Sequence, residues 1–355
     1  MKLLIVTQKM DENDDVLGFM HGWVNEFSKR CEKITVICLE KGSLSLPANV
    51  SVYSLGKEKK KAGKLTYAIR FLSLAFRLRK EYTHVFVHMN YEYVILGGFL
   101  WRILGKKISL WYAHGHVPWL LYPALCLSHV VFTSTKSGFR ITSPKVRVIG
   151  QGIDTAKFKS HKVPKVESQN HKLKIISVGR ISPSKDYETL IKAAEVLEKE
   201  GLNFEITLIG KPATSRDLIY QEKIKEMVRE KQLETKIRFV GGVANRDLPV
   251  HLEKADLFVN AGLTGSLDKA MVEAMSMELP VITSNGAMRE VLGDYKEEFM
   301  YAKRDSVTLA SKILWFANMP FVERENLGKN MRKIVERDHA LDRFISEITD
   351  GLRVL

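Results

Sequence analysis

The sequence is short of cysteine, of long apolar runs and, over its first half, of acid. Its three cysteines, Cys31, Cys38 and Cys126, form no C-x-x-C pair and cannot all pair within one chain. That excludes a disulfide framework and fits reduced thiols in a cytosolic compartment. The apolar run after Met1 and Lys2, Leu3-Leu4-Ile5-Val6, is far too short for the core of a signal peptide. It reads as a first buried strand, and a cytoplasmic location is expected.

One stretch, residues 108–133, contains no Lys, Arg, Asp or Glu, but His114, His116, Pro118, Pro123 and His129 interrupt it. It is therefore not expected to span a membrane. The pattern predicts a strand at 108–113, a short proline-started helix at 118–127 and a strand at 130–133, since strands of parallel sheets are apolar on both faces.

The shortage of acid is one-sided. Residues 1–160 hold 24 Lys and Arg against 11 Asp and Glu, whereas residues 161–355 hold 31 against 30. A basic half joined to a neutral half points to a polyanionic surface partner for the first half only. Charge alone admits either anionic lipid or nucleic acid.

What is present is a long alternation of apolar strands and amphipathic helices. A chain of 355 residues is too long for one ordinary core, and two domains are expected. Strands are predicted at 3–7, 34–39, 85–88, 108–113, 130–133 and 146–149, then at 173–178, 205–209, 237–240, 257–259 and 281–284. Helices at 189–200, 219–232 and 269–277 lie among them. Strand and helix in turn, twice over, predict an α/β protein of two doubly wound parallel sheets. The polar, aperiodic stretch 155–170 reads as a linker between them. In 339–355, Leu341, Phe344, Ile345, Ile348 and Leu352 fall at helical spacing.

Two loops carry the chemistry. Val178-Gly179-Arg180-Ile181-Ser182-Pro183-Ser184-Lys185 follows a strand, and two cations five residues apart at the carboxyl end of a parallel strand suit a pyrophosphate. A solvated charged loop is the other reading of this segment alone. The second loop runs from Gly262 through Thr264, Gly265, Ser266, Leu267 and Asp268 into a helix at Lys269. Ser266 is the expected N-cap, and a helix start with unfilled amides is a general anion site. Glu273 stands about two turns inside that loop-helix segment, where a carboxylate can accept hydrogen bonds from a ribose diol. A capped helix with one exposed glutamate is the alternative.

Taken together, these segments resemble the donor domain of glycosyltransferase family 4, retaining enzymes of the GT-B fold. The matching stretches are Gly150-Gln151-Gly152-Ile153-Asp154 with Phe158, Gly179-Arg180 with Lys185, Leu208-Ile209-Gly210, Phe239-Val240-Gly241, Ala255-Asp256 and Glu273-Ala274-Met275 before Pro280-Val281-Ile282. The likeness is good over residues 145–295 and looser before them. It implies two Rossmann-like domains facing a central cleft: an acceptor-binding domain at 1–154, with the helix of 339–355 packing back on it, and a donor-binding domain at 171–338.

By the same resemblance Arg180 and Lys185 bind the donor diphosphate and Glu273 the ribose, while Gly210, Lys211 and the loop ending at Val243 flank the base. The start of the 269–277 helix, with Gly265, Ser266, Leu267, Asp268 and Lys269, completes the donor site. The family's first Glu of Glu-x7-Glu is replaced here by Gly265, which bears on sugar identity and on turnover, and Asp268 is the candidate substitute carboxylate. In the first half, Gly18 matches the glycine of the N-terminal loop. His114 matches a histidine beside the transferred sugar, with His88 at a similar strand end as the alternative. No metal and no other cofactor is expected, because the cations carry the leaving-group charge and no D-x-D element stands in a strand-loop context; the acidic cluster Asp11–Asp15 reads as an acceptor-side loop.

The expected activity is transfer of a hexose-type sugar from a UDP- or GDP-linked donor to a hydroxyl of a glycan or lipid-linked acceptor, at the inner face of the cell membrane and toward cell-surface polysaccharide. A nucleotide-sugar-binding protein with impaired catalysis and another GT-B enzyme, such as a sugar-nucleotide epimerase, are the alternatives. The cationic segment 59–80 has no acid between Glu58 and Glu81. Leu65, Ala68, Ile69, Leu72 and Phe76 form a helical stripe expected to face the core. Phe71, Leu74 and Leu78 form a second, expected to meet an anionic bilayer, with a broad core stripe as the alternative. Nucleic acid is not an expected partner.

Overall fold

A computed structural model of the protein describes residues 1–59, 62–161 and 172–355. The chain divides into two compact units. One comprises Met1–Asp154, Ala244–Arg246 and His339–Leu355; the other comprises Thr155–Val243 and Asp247–Asp338.

The first unit is built on seven parallel strands: β1 (Lys2–Met10), β2 (Lys33–Lys41), β3 (Val50–Ser54), β4 (His84–His88), β5 (Lys107–Trp111), β6 (Val130–Thr133) and β7 (Val146–Val148), in the order β3-β2-β1-β4-β5-β6-β7. Its helices are α1 (Phe19–Ser28), α2 (Lys64–Arg77), α3 (Tyr91–Ile103) and α4 (Leu121–Leu127). The run Leu3-Leu4-Ile5-Val6 shows why the sheet is covered on both sides. Leu3 and Ile5 pack in one core with α1 residues Trp23 and Phe27, while Leu4 and Val6 pack in the other with Phe71, Trp101 and Leu121. The charge-free stretch is thus strand, short helix and strand, as its prolines and histidines predict, although α4 starts at Leu121 rather than at Pro118. Among the described residues, no helix is long and apolar enough to cross a membrane.

The second unit has five parallel strands, β8 (Leu173–Val178), β9 (Phe204–Ile209), β10 (Ile237–Gly241), β11 (Leu257–Asn260) and β12 (Val281–Thr283), in the order β10-β9-β8-β11-β12. Its helices are α5 (Tyr187–Lys199), α6 (Ser215–Glu230), α7 (Leu248–Leu252), α8 (Lys269–Ser276), α9 (Met288–Leu292), α10 (Lys296–Phe299), α11 (Ser306–Ala317) and α12 (Phe321–Asp338). A last helix, α13 (Leu341–Arg353), returns to the first unit, burying Phe344, Ile345 and Ile348 against Trp23, Trp111 and β6.

Three expectations need correction. Strand β3 is missing from the predicted set, because its five residues are all half-buried at a sheet edge and lack the continuous apolar signal of the inner strands. The stripes of α2 are largely exchanged: Phe71, Ala75 and Leu78 are buried, whereas Leu65, Ile69 and Phe76 face solvent, and of the stripe expected inside Leu72 packs half-buried against the core. Helical spacing defines both stripes, but only the packing against Tyr93 and Trp101 decides between them. The supposed linker is already part of the second unit at its start. Phe158 is buried, and its carbonyl accepts hydrogen bonds from Ser276 Oγ (2.7 Å) and Arg332 Nη1 (3.0 Å). The rest of that stretch, residues 162–171, and Lys60 and Lys61 of the cationic segment lie outside the described residues.

Candidate functional site

In the second unit the order of strands reverses between β8 and β11, so the connections leaving these neighbours run to opposite sides and leave a crevice at their carboxyl ends. The loop after β8 holds Gly179 to Lys185, and the loop after β11 holds Gly262 to Asp268. The fold therefore brings together the two segments singled out from sequence. Leu263 N–H donates to the Ser184 carbonyl (2.9 Å), and the Lys185 ammonium is hydrogen-bonded to Asp268 Oδ2. Asn260 Nδ2 donates to the same carboxylate oxygen at 3.2 Å.

The floor of the loops is backbone. Gly179 N–H donates to Ile209 O (2.9 Å) and Gly210 N–H to Gly241 O (2.8 Å), so the ends of β8, β9 and β10 are laced in series. A Cβ on Gly210 would lie 1.9 Å from the Gly179 carbonyl oxygen, so only glycine permits this approach. The Gly179 carbonyl also accepts from Tyr187 Oη (3.0 Å), while Tyr220 Oη holds the Tyr187 N–H at 2.9 Å. Lys211 is exposed at the rim, and Val243 is half-buried.

Two side chains expected to act on an anion are placed differently. Lys185 is half-buried and engaged with Asp268. Arg180 is exposed and makes no hydrogen bond or ion pair among the described residues. The N-cap of α8 is Asp268, not Ser266. Asp268 does not turn its carboxylate onto the helix, since Lys185 and Asn260 claim it, and no side chain caps α8. Ser266 instead presents its carbonyl to Asn285 Nδ2 (2.8 Å). Gly265 and Lys269 are half-buried and Leu267 is buried. Glu273 is 3% exposed, which overturns the picture of a solvated glutamate: α8 buries it along with its neighbours Val272 and Ala274. A carboxylate so enclosed is held by its surroundings rather than by water.

Sequence reasoning missed Asn260, Asn285 and Lys303. Asn260 Oδ1 accepts from Gly262 N–H (3.0 Å), Asn285 Oδ1 from Ala287 N–H (3.0 Å), and Lys303 Nζ donates to the Leu263 carbonyl (2.8 Å). Asn260 ends β11 and Asn285 lies just beyond β12. An amide at the carboxyl end of a buried strand was the available signal.

In the first unit the corresponding reversal lies between β1 and β4. The loop after β1 turns on Asp14, whose carboxylate accepts from Val16 and Leu17 N–H (2.9 and 2.7 Å) and pairs with Lys9 (2.7 Å). Burial raises the Asp14 carboxyl, but the hydrogen bonds from Lys9, Leu17 and Val16 outweigh it and hold it below its ordinary value. Gly18 then opens α1 in a right-handed conformation, and a Cβ there would meet Asp14 O at 2.4 Å. Its glycine is thus required by the loop's own turn.

The two histidines separate clearly. His88 ends β4 but is buried among the rings of Phe19 and Trp23. His114, three residues past β5, is exposed and fixed by its backbone: its N–H donates to Gly138 O (2.9 Å), and its Nδ1 accepts from His116 N–H (3.0 Å). That bond puts the proton of the neutral ring on Nε2. Partial burial, then the nearby His116 and Arg140, lower its basicity. Of the two, only His114 offers a ring nitrogen to an incoming molecule.

Residues 158–334 match the family model of glycosyl transferases group 1, a span that nearly coincides with the second unit. The chain is 28% identical over 178 residues to the amylovoran biosynthesis glycosyltransferase AmsK of Erwinia amylovora, covering 48% of this chain and 41% of that protein. It is 23% identical over 211 residues to a GDP-mannose-dependent alpha-(1-6)-phosphatidylinositol monomannoside mannosyltransferase of Mycobacterium tuberculosis, covering 52% and 53%. The chain thus spans about half or less of the length of these curated relatives. Among solved structures, Anabaena Alr3699/HepE in complex with UDP and glucose superposes with a TM-score of 0.79 at 17% identity, covering 100% of both chains. Sucrose-phosphate synthase from Thermosynechococcus elongatus gives 0.79 at 15%, covering 100% and 99%. The fold is GT-B, two parallel-sheet α/β domains.

Proposed function

We propose that the chain, whose second unit is a group 1 glycosyl transferase domain, is a retaining glycosyltransferase of family 4. It takes a hexose-type sugar from a UDP- or GDP-linked donor and delivers it to a hydroxyl of a glycan or lipid-linked acceptor at the inner membrane face, toward a cell-surface polysaccharide. The observation that carries this reading is the joining of the β8 and β11 loops, where Leu263 N–H meets Ser184 O and Lys185 meets Asp268 at the carboxyl ends of two neighbouring strands. The relatives named for UDP, GDP-mannose and glycan synthesis support it.

In this reading Lys185 exchanges Asp268 for the donor diphosphate, Arg180 swings in from solvent to the same group, and the uncapped start of α8 with the backbone of Gly265–Lys269 adds amide donors. Glu273 accepts from the ribose hydroxyls; Gly210, Lys211 and Val243 line the base. Asp268, released by Lys185, takes the sugar hydroxyls in place of the carboxylate that Gly265 lacks. From the first unit, the resemblance assigns Gly18 to the donor and His114 to the sugar, with Nε2–H as donor. The acceptor oxygen bonds to the anomeric carbon on the face from which the diphosphate departs. The bond from that carbon to the phosphate oxygen breaks, its electron pair stays on the diphosphate, and the acceptor's proton passes to a phosphate oxygen. Preorganised cations and amides stabilise the developing charge, so the reaction proceeds without a divalent metal.

The test is a screen of UDP- and GDP-sugars by thermal shift, followed by release of nucleoside diphosphate with and without chelator. Stabilisation by one base series and release that Lys185→Ala abolishes are expected. No stabilisation by any nucleotide sugar would overturn the reading. Tight binding without release under any acceptor would favour the second reading, a nucleotide-sugar-binding protein, which Gly265 supports.

A further inference from the structure

Helices α2, α3 and α4 all cover the same face of the first unit's sheet, sharing one core through Phe71, Tyr93, Trp101 and Leu121, whereas α1 and α13 cover the other. Their outward surfaces therefore look away from the sheet together. On α2 that surface shows Leu65, Ile69 and Phe76, with Leu65 74% exposed. On α3 it shows Leu96, Phe99 and Ile103, with Phe99 72% exposed. Leu65, Ile69 and Phe76 are four and seven residues apart, and Leu96, Phe99 and Ile103 three and four apart, helical spacings that place each set along one side of its helix. Just before α4 stands Trp119, 76% exposed, followed by the exposed Tyr122.

Neither line is demanded by the core, which α2 fills with Phe71, Ala75 and Leu78 and α3 with Tyr93, Val94 and Trp101. Large contiguous apolar surface of this kind marks a binding face. Its charge identifies the occupant. Around it stand Lys64, Arg77 and Lys80, which form no ion pair among the described residues, and Arg79, whose guanidinium lies 4.2 Å over the Phe76 ring. From Lys64 to Leu127 the exposed surfaces of the three helices include a single acid, Glu92. Apolar lines on two helices with an exposed Trp and Tyr at the start of the third, rimmed by cations with long aliphatic stems, match the boundary of an anionic bilayer: aromatic rings sit at headgroup level and ammonium and guanidinium groups meet phosphate.

We infer that this three-helix face docks on an anionic lipid bilayer, with Leu65, Ile69, Phe99, Ile103 and Trp119 entering the headgroup boundary. The expectation of membrane contact through the 59–80 segment thus moves to the opposite side of α2 and extends to two further helices. Membrane binding is read without any transfer reaction, so its failure would leave the transferase reading standing.

The experiment is co-sedimentation of the full chain with vesicles of equal parts phosphatidylglycerol and phosphatidylcholine, compared with phosphatidylcholine alone. Binding to the anionic vesicles, with a blue shift of emission that Trp119→Phe removes, is expected. The double variant Phe99→Glu/Ile103→Glu should weaken partition by about tenfold or more, and Arg77→Glu/Lys80→Glu should do likewise. Unchanged melting temperature and nucleotide-sugar binding would show that both variants fold. Absence of wild-type binding, or equal binding by the apolar double variant, would overturn the inference. So would a dimer in sedimentation velocity that Phe99→Glu/Ile103→Glu disperses, which would give the face to a second copy, or tighter binding to an oligonucleotide than to the vesicles.

Discussion

The Lys185 ammonium and the Asp268 carboxylate are hydrogen-bonded across 83 residues of sequence, and the Asn260 amide fixes the same carboxylate oxygen from β11. The cation proposed for the donor's phosphates is thus already neutralised by the carboxylate proposed for its sugar. Either group can act only when the other lets go.

That competition gives opposite signs for two ligands. Asp268→Asn frees Lys185, and isothermal titration should show UDP or GDP alone binding about tenfold more tightly, a gain of ~1.4 kcal/mol. The same variant should transfer sugar more slowly, because the replacement carboxylate is gone. Equal nucleotide affinity and equal turnover would remove Asp268 from the site.

Gly210→Ala places a methyl group against the Gly179 carbonyl, where no flexible side chain can yield. The backbone of both loops must shift, at a cost of about 2 kcal/mol. Calorimetry should show the second unit melting earlier by roughly 2–4 °C for each kcal/mol lost, together with weakened nucleotide binding.

Arg332 gathers three carbonyls of the second unit, those of Phe158 (3.0 Å), Ser276 (2.6 Å) and Thr155 (3.2 Å), while its side chain is 14% exposed. Arg332→Met keeps the aliphatic bulk but takes a charged donor from all three acceptors, leaving the Phe158 carbonyl with Ser276 Oγ alone. A loss of about 3 kcal/mol is expected in denaturant unfolding, with the first unit's transition unchanged.

His129 provides a pH dependence. Burial, followed by repulsion from Arg102, Lys107 and Lys145, pushes it down to about 4, and its Nδ1 accepts the Ile108 N–H at 2.9 Å. A histidine depressed in the folded state is neutral there while the unfolded chain takes up a proton. Its contribution is complete above about 6.5, declines as pH falls from there toward about 4, and levels off below. Urea midpoints measured across that window should fall with pH, and His129→Asn, which keeps an acceptor, should flatten the slope.

The period of the apolar residues was enough to read both sheets, since strands such as Leu3–Val6 are buried on both sides and leave an unbroken signal. It was not enough for β3, half-buried at an edge, or for α2, where two stripes satisfy the same period and only the neighbouring rings of α3 choose. The glycines and cations of the site were legible because loop chemistry is local. The cap of α8 was not: Ser266 and Asp268 are both good capping residues, and what Asp268 does depends on Lys185, far away in sequence. Asn285 escaped notice for the same reason, as its partner Ser266 lies in another loop; Asn260, which reaches Asp268 within its own loop, was overlooked as the plain end of a strand.

The lacing of Gly179, Gly210 and Gly241 uses main chain alone, so its shape is inherited from the path of the polypeptide. Mutation can alter the groups around it without touching that frame. In the proposed reading, one hexose could therefore be exchanged for another through side chains at positions such as Gly265 and Asp268 while this frame stayed the same, and a laboratory seeking a new donor should search those positions first.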